Sequence, residues 1–249
     1  MLANTLFVTT LYPTLLLGWL AGAVANRAAD HLPTGPLQQF FARFNLRTLP
    51  HYWTLWWYPG QWLRGQRGVC PHCGQVRPWR APALEAAMIG VFWLTWRCFQ
   101  HNPLLLAIGC FYALFLLIVL VIDYEQRRVL NKLLLPVSIV VLLLSLVPGT
   151  PTPVQALLGG LTGFGLFLFL ALLRRGGMGA GDVKLAGVIG LMTGYPDVMT
   201  ALTIGALLGG VAALVLLVSR RAGRKATMAY APYLALGTLI TLWAQMGIH

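Results

Sequence analysis

Asp123 closes an apolar run that starts at Leu104, and Asp182 sits within Gly176-Gly177-Met178-Gly179-Ala180-Gly181-Asp182-Val183-Lys184. They are two of only six acidic residues in a chain of 249. Two carboxylates at the ends of apolar runs suit hydrolysis of a peptide bond. That reaction needs a water made nucleophilic and a carbonyl oxygen protonated, and a carboxylate pair holding one proton supplies both. Like charges a few ångströms apart cannot both ionise cheaply, so the roles of base and acid divide between them. Such a pair titrates as a unit, which leaves open which aspartate plays which role.

The glycines around Asp182 serve the same task. Gly176, Gly177, Gly179 and Gly181 disfavour continuous helix and let an extended substrate backbone come close. If the next helix runs from Val183 to Tyr195, its 13 residues cover about 20 Å, short of a hydrocarbon core of roughly 30 Å. Either helix then continues through Pro196 to Met199, or Asp182 sits below the membrane surface in a water-accessible notch, where irregular backbone is tolerated. Each aspartate also has an ordinary structural reading: Asp123 pairs with Arg127 four residues on, and Asp182 caps the helix it opens. Lys184 reads as a topology anchor and Asp197 as a turn residue. Glu85 either receives a cationic group of substrate or cofactor, or pairs with Arg80 or a neighbouring loop.

The elements that must position these groups are membrane helices. The chain is 58% hydrophobic and 10% charged, with a mean hydropathy of +0.72, which an ordinary soluble domain does not show. Runs long enough to cross a bilayer fall at about 6–26, 82–99, 103–123, 132–148, 153–173, 183–199, 200–219 and 227–247. The expected fold is therefore all-α, a polytopic membrane protein of about eight transmembrane helices forming one membrane domain over 1–249. Threading eight spans with both ends outside puts 17 of the 18 Lys and Arg residues in loops 27–81, 124–132, 174–184 and 220–226. Only Arg97 falls near the other face. Lys and Arg in short loops mark the cytoplasmic side, so the +12 net charge is first a topology signal, and nucleic acid is not an expected partner. By this threading Asp123 ends the third span and Asp182 opens the sixth, both on the cytoplasmic side.

The one sizeable extramembrane segment is the cytoplasmic loop region 27–81. Leu37, Phe40, Phe41 and Phe44 recur there at helix spacing, and Tyr52, Trp53, Trp56, Trp57, Tyr58 and Trp62 follow. An amphipathic stretch with clustered aromatic rings is expected to lie in the headgroup layer, so the bilayer itself is a partner. The run ending Ala21-Gly22-Ala23-Val24-Ala25 has the small residues of a signal-peptide cleavage site, but no Lys or Arg precedes it, and it reads as a retained first span. Short turns are expected at 148–153 and 194–197.

Together these residues resemble the type IV prepilin peptidases, the GxGD-type aspartyl proteases of bacterial inner membranes. Gly179-Ala180-Gly181-Asp182-Val183-Lys184-Leu185 is similar to the family's second catalytic motif, and Ile122-Asp123 with Val129-Leu130-Asn131 to its first. Gly18 to Arg27, reaching Leu32-Pro33, resembles the family's first helix, and Trp79-Arg80-Ala81-Pro82-Ala83-Leu84-Glu85 the entry to its second. The resemblance implies that Asp123 and Asp182 are catalytic, with Gly179, Gly181 and Lys184 supporting the motif. It also implies a prepilin or pseudopilin substrate whose apolar helix inserts beside the enzyme while a short basic leader stays cytoplasmic, cleaved after a glycine to serve pili, type II secretion or DNA uptake.

Many members of that family also methylate the new N-terminus with S-adenosylmethionine, an activity associated with the large cytoplasmic region. Members often carry two Cys-x-x-Cys pairs there, resembling a zinc site, whereas this chain has only Cys70-Pro71-His72-Cys73. Two thiolates leave a four-coordinate zinc short of ligands, and no spacing singles out His72, His51 or His31 to complete it, so no metal ligands are assigned. Proteolysis by an aspartate pair calls on no cofactor; S-adenosylmethionine belongs only to the methylation reading. Cys98 and Cys110 read as ordinary span residues. The competing reading is a small proton- or cation-coupled transporter using Asp123 and Asp182, which predicts related halves and acids near the midplane. No convincing similarity between halves is present, and both acids fall towards one face.

Overall fold

A computed structural model describes residues 2–32, 54, 79–126, 131–173, 179–219 and 230–246. Among them are eight helices and no strand: α1 (Leu2–His31), α2 (Arg80–Phe99), α3 (Pro103–Gln126), α4 (Asn131–Leu144), α5 (Pro153–Leu173), α6 (Ala180–Thr193), α7 (Asp197–Val218) and α8 (Ala231–Met246). Each of the eight apolar runs thus contains a helix, though α4 stops at Leu144, short of the expected 148. Among the described residues three helices are long and apolar enough to cross a membrane, Pro103–Gln126, Pro153–Leu173 and Asp197–Val215, while α4 is a shorter apolar helix.

Local chemistry sets several boundaries. Asn102 caps α3 by accepting hydrogen bonds from the Leu104 and Leu105 amides at 3.1 and 3.2 Å, and Pro103 fills the first helical position, where no amide donor is needed. Thr152 and Gln155 form a reciprocal capping box at the start of α5. At the other end of the sixth run the expectation of a 183–199 span is corrected. The helix stops at Thr193, Gly194 takes φ +72°, a left-handed conformation that a side chain disfavours, and α7 begins at Asp197. Helix therefore does not continue through Pro196, and α6, at 14 residues, spans only about 21 Å.

The chain forms two compact units, Met1–Ile118 and Val119–His249, with the boundary inside α3. In the first, α1 packs along α2, and the contact depends on small residues four apart. A Cβ on Gly22 would stand 2.7 Å from the Glu85 Cα, and one on Gly18 would stand 3.2 Å from the Ile89 Cα. Asn26 donates to the Ala81 carbonyl at 3.0 Å, and Arg80 forms an ion pair with Asp30. Arg97, the lone outer cation of the charge threading, lies with its guanidinium 6.0 Å from the Trp93 ring centroid, an arrangement that lowers the cost of a cation near lipid.

In the second unit α6 is the central helix, packed against α4, α5, α7 and α8. Its closest neighbour is α5, and glycines again permit the approach: a Cβ on Gly159 would fall 2.3 Å from the Gly190 carbonyl oxygen, and one on Gly163 2.3 Å from that of Ala186. Gly205 and Gly237 do the same for α7 and α8. Without a hydrophobic drive between helices in lipid, close packing of small residues is what holds them together. Thr95, Ser138, Thr162, Thr193, Thr203, Thr238 and Thr241 each donate to the carbonyl four residues back, satisfying hydroxyls that find no water in a hydrocarbon setting. The apolar windows of α5 and α7 are only 28% buried. Exposed Leu157, Leu161, Phe169, Leu207, Val211 and Leu214 form faces that suit lipid and not water.

Candidate active site

Asp182 is the third residue of α6, whose N-cap, Gly179, is extended at φ −73°, ψ 139°. The Asp182 amide donates to the Gly179 carbonyl at 3.0 Å. Asp182 lies in the first turn of α6, and a negative charge is favoured at that end of the helix dipole. Gly179 and Ala180 are exposed, so the backbone at the mouth of the site is open to a second chain.

Asp123 lies in the last turn of α3 and belongs to the same unit. It is 4% exposed and Asp182 8%, and the two carboxylates interact electrostatically. The two sequence-predicted acids thus lie in one unit, close enough for their charges to interact. Arg127, the alternative partner for Asp123, lies outside the described residues, as do Gly176, Gly177 and Met178.

Lys184 takes a position that its sequence role did not announce. Its Nζ donates to the Asn131 Oδ1 at 3.1 Å, joining α6 to the first residue of α4 and so tying the two aspartate-bearing motifs together. The pair sits at the polar end of an otherwise apolar groove of about 580 Å³ between α4, α5 and α6. One further residue was not singled out from sequence. Tyr230, immediately before α8, has a phenol that feels the Asp182 charge. Its relation to Asp182 is long-range, and an aromatic residue at a span boundary reads by itself as an interfacial anchor.

Glu85 belongs to the first unit and is fully buried. Its Oε1 accepts from the Thr54 amide at 2.7 Å and the Thr54 hydroxyl at 2.6 Å, and its Oε2 accepts from the Trp19 indole at 2.8 Å. Of the structural partners foreseen, the loop region supplies Thr54, while Arg80 forms its ion pair with Asp30. A carboxylate enclosed by three donors is a structural tie between α1, α2 and the 27–81 region. Among the described residues no three His, Cys, Asp or Glu side chains are grouped to hold a metal. Cys70, Cys73, His51 and His72 lie outside the described residues.

The site therefore offers two buried, mutually interacting carboxylates at the end of one helix and the start of another, beside an exposed glycine. Comparison with known proteins gives a consistent picture. Residues 110–214, which include both aspartates, match the type IV leader peptidase family. The chain is 26% identical over 175 residues to a prepilin leader peptidase/N-methyltransferase of Bacillus subtilis (strain 168), covering 70% of each chain. It is 27% identical over 213 residues to one of Aeromonas hydrophila, covering 72% of each. A Pseudomonas putida relative of the same name is 27% identical over 187 residues, 72% of this chain and 64% of the relative. No solved structure matches the chain.

Proposed function

We propose that this chain, which belongs to the type IV leader peptidase family through its 110–214 segment, is a membrane aspartic endopeptidase removing the cytoplasmic leader from prepilins or pseudopilins. The observation that carries the reading is that Asp123 and Asp182 are both buried and interact electrostatically. One carboxylate, ionised, takes a proton from water as the water oxygen bonds to the scissile carbonyl carbon. The other, protonated, gives its proton to the carbonyl oxygen, and a neutral tetrahedral diol results. On collapse the carbon–nitrogen bond breaks, the proton taken from water passes to the leaving amine, and a diol hydroxyl returns its proton to the second carboxylate. The pair ends with the single proton it began with. No cofactor enters this sequence of steps.

Gly179, Gly181 and Lys184 support the site as motif residues: Gly179 through its carbonyl, which accepts from the Asp182 amide, Gly181 by leaving the backbone beside Asp182 without a side chain, and Lys184 through Asn131. The lipid-facing sides of α5 and α7 support a bilayer setting. The bacterial inner membrane, with the active site on the cytoplasmic side, is the location that the Lys and Arg bias favours. A second activity, N-methylation of the new N-terminus with S-adenosylmethionine as donor, is favoured by the names of the three relatives. A methyl increment on the processed product, read by mass spectrometry, separates the two activities.

The test uses purified full-length protein with a synthetic prepilin that contains both the basic leader and the apolar helix. Asp123→Asn and Asp182→Asn each lower cleavage by roughly 10²- to 10⁴-fold, with thermal unfolding close to the parent. A fully active Asp182→Asn protein overturns the assignment, and ion flux without cleavage favours transport.

A further inference from the structure

The groove between α4, α5 and α6 lies wholly within the second unit. Gly160 of α5 and Gly187 of α6 close its floor: a Cβ on Gly160 would stand 2.9 Å from a side-chain carbon of Leu191, and one on Gly187 3.3 Å from the Phe164 Cβ. α4 packs on α6 and barely touches α5, which leaves the recess open along one side. Leu135, Leu157 and Leu161 line it and are exposed. The Ser138 hydroxyl donates to the Leu134 carbonyl at 2.8 Å, so the walls present apolar surface with its one hydroxyl already satisfied.

Polarity gathers at one end, where the exposed side chains of Lys184 and Asn131 meet at 3.1 Å. An ammonium has three donors. Among the described residues that of Lys184 makes this single hydrogen bond, to a neutral oxygen, and no ion pair. Asn131, with its oxygen taken, keeps two N–H donors. Successive residues turn by about 100° around a helix, so Lys184 stands roughly 200° from Asp182, in keeping with an exposed lysine and a buried aspartate. The groove therefore runs along the side of α6 turned away from the catalytic carboxylate. A cation with neighbouring donors above an apolar slot matches an anionic head on an apolar tail.

We propose that this groove is a binding site for an anionic phospholipid, which lays an acyl chain along Leu135, Leu157 and Leu161 and sets its phosphate on Lys184 and Asn131. The Lys and Arg bias favours the cytoplasmic side for this end of the groove, and the leaflet there is anionic. Charge also decides against the other occupants of an apolar groove. A prepilin helix laid here would bring its basic leader against Lys184. Two copies of this chain, each with a net charge of +12, would set like charge against like. The inference takes its leaflet from the orientation proposed above and uses nothing of the cleavage chemistry.

The experiment places the full-length protein in phosphatidylcholine vesicles carrying a small fraction of phosphatidylglycerol with a photoreactive acyl chain, and maps the labelled residues by mass spectrometry. The expected result is labelling at Leu135, Leu157 or Leu161. Unlabelled phosphatidylglycerol displaces it at a roughly fivefold lower concentration than phosphatidylcholine does, the preference that one lysine beside an anionic headgroup supplies. Lys184→Gln abolishes the preference and Lys184→Arg keeps it. Lys132→Gln, next to Asn131 but outside the groove lining, also keeps it. Leu161→Trp fills the groove from an exposed position and lowers labelling of Leu135 and Leu157, whereas Leu207→Trp on the exposed face of α7 does not. If Leu161→Trp fails to fold, the lysine series decides alone. Equal displacement by the two lipids, or an unchanged preference in Lys184→Gln, overturns the inference and leaves ordinary boundary lipid. Labelling lost on adding synthetic prepilin assigns the groove to substrate, and labelling lost as protein density rises assigns it to a second copy; either outcome overturns the lipid site.

Discussion

Asp182 stands in the first turn of α6 and interacts electrostatically with Asp123. Because the mechanism needs one carboxylate ionised and one protonated, cleavage falls on both the acidic and the basic side of an optimum, giving a bell-shaped profile of kcat against pH with two macroscopic limits that belong to the pair. A profile with a single limb contradicts a shared-proton mechanism. Glu85 illustrates the opposite case, an acid with no exposed surface and three donors already on it. Glu85→Ala leaves buried donors on Trp19 and Thr54 unmatched, and is expected to lower unfolding stability by about 1–3 kcal/mol, measured by thermal or denaturant unfolding in detergent. Lys184 was legible only as a cation near a motif. Its bond to Asn131 comes from the meeting of α4 and α6, which no local pattern encodes.

At the scale of elements, α6 is too short to match a full hydrocarbon core and is held instead by close backbone contact with α5. Gly159, Gly163 and Gly190 make that contact possible. Gly159→Leu or Gly163→Val forces the helices apart, and is expected to cost at least about 1–3 kcal/mol and to lower cleavage because α6 carries Asp182. Retention of parent stability and activity in Gly163→Val contradicts the packing argument. The helices themselves were legible as eight apolar runs, since periodicity and length report burial or lipid contact directly. The break after Thr193 was one of two outcomes left open, and the left-handed Gly194 decided it.

At the scale of the whole molecule, the distribution of Lys and Arg sets an orientation that labelling measures. A single cysteine at Thr150, in the turn between α4 and α5, is expected to react with an impermeant thiol reagent from outside intact cells, against a background in which the native cysteines are replaced. One at Ala222 is expected to react only after the inner face is opened. Reaction of Ala222→Cys from outside reverses the threading and puts both aspartates on the other face.

The sequence by itself determined the helical membrane class, the approximate positions of the helices and the two acids, because apolar length, charge bias and glycine-aspartate spacing are local properties of the chain. Tertiary structure alone decided that those acids interact and that Glu85 is a buried tie to Thr54 and Trp19. These relations depend on which helices pack together and at what height, a choice made by small-residue contacts between segments distant along the chain.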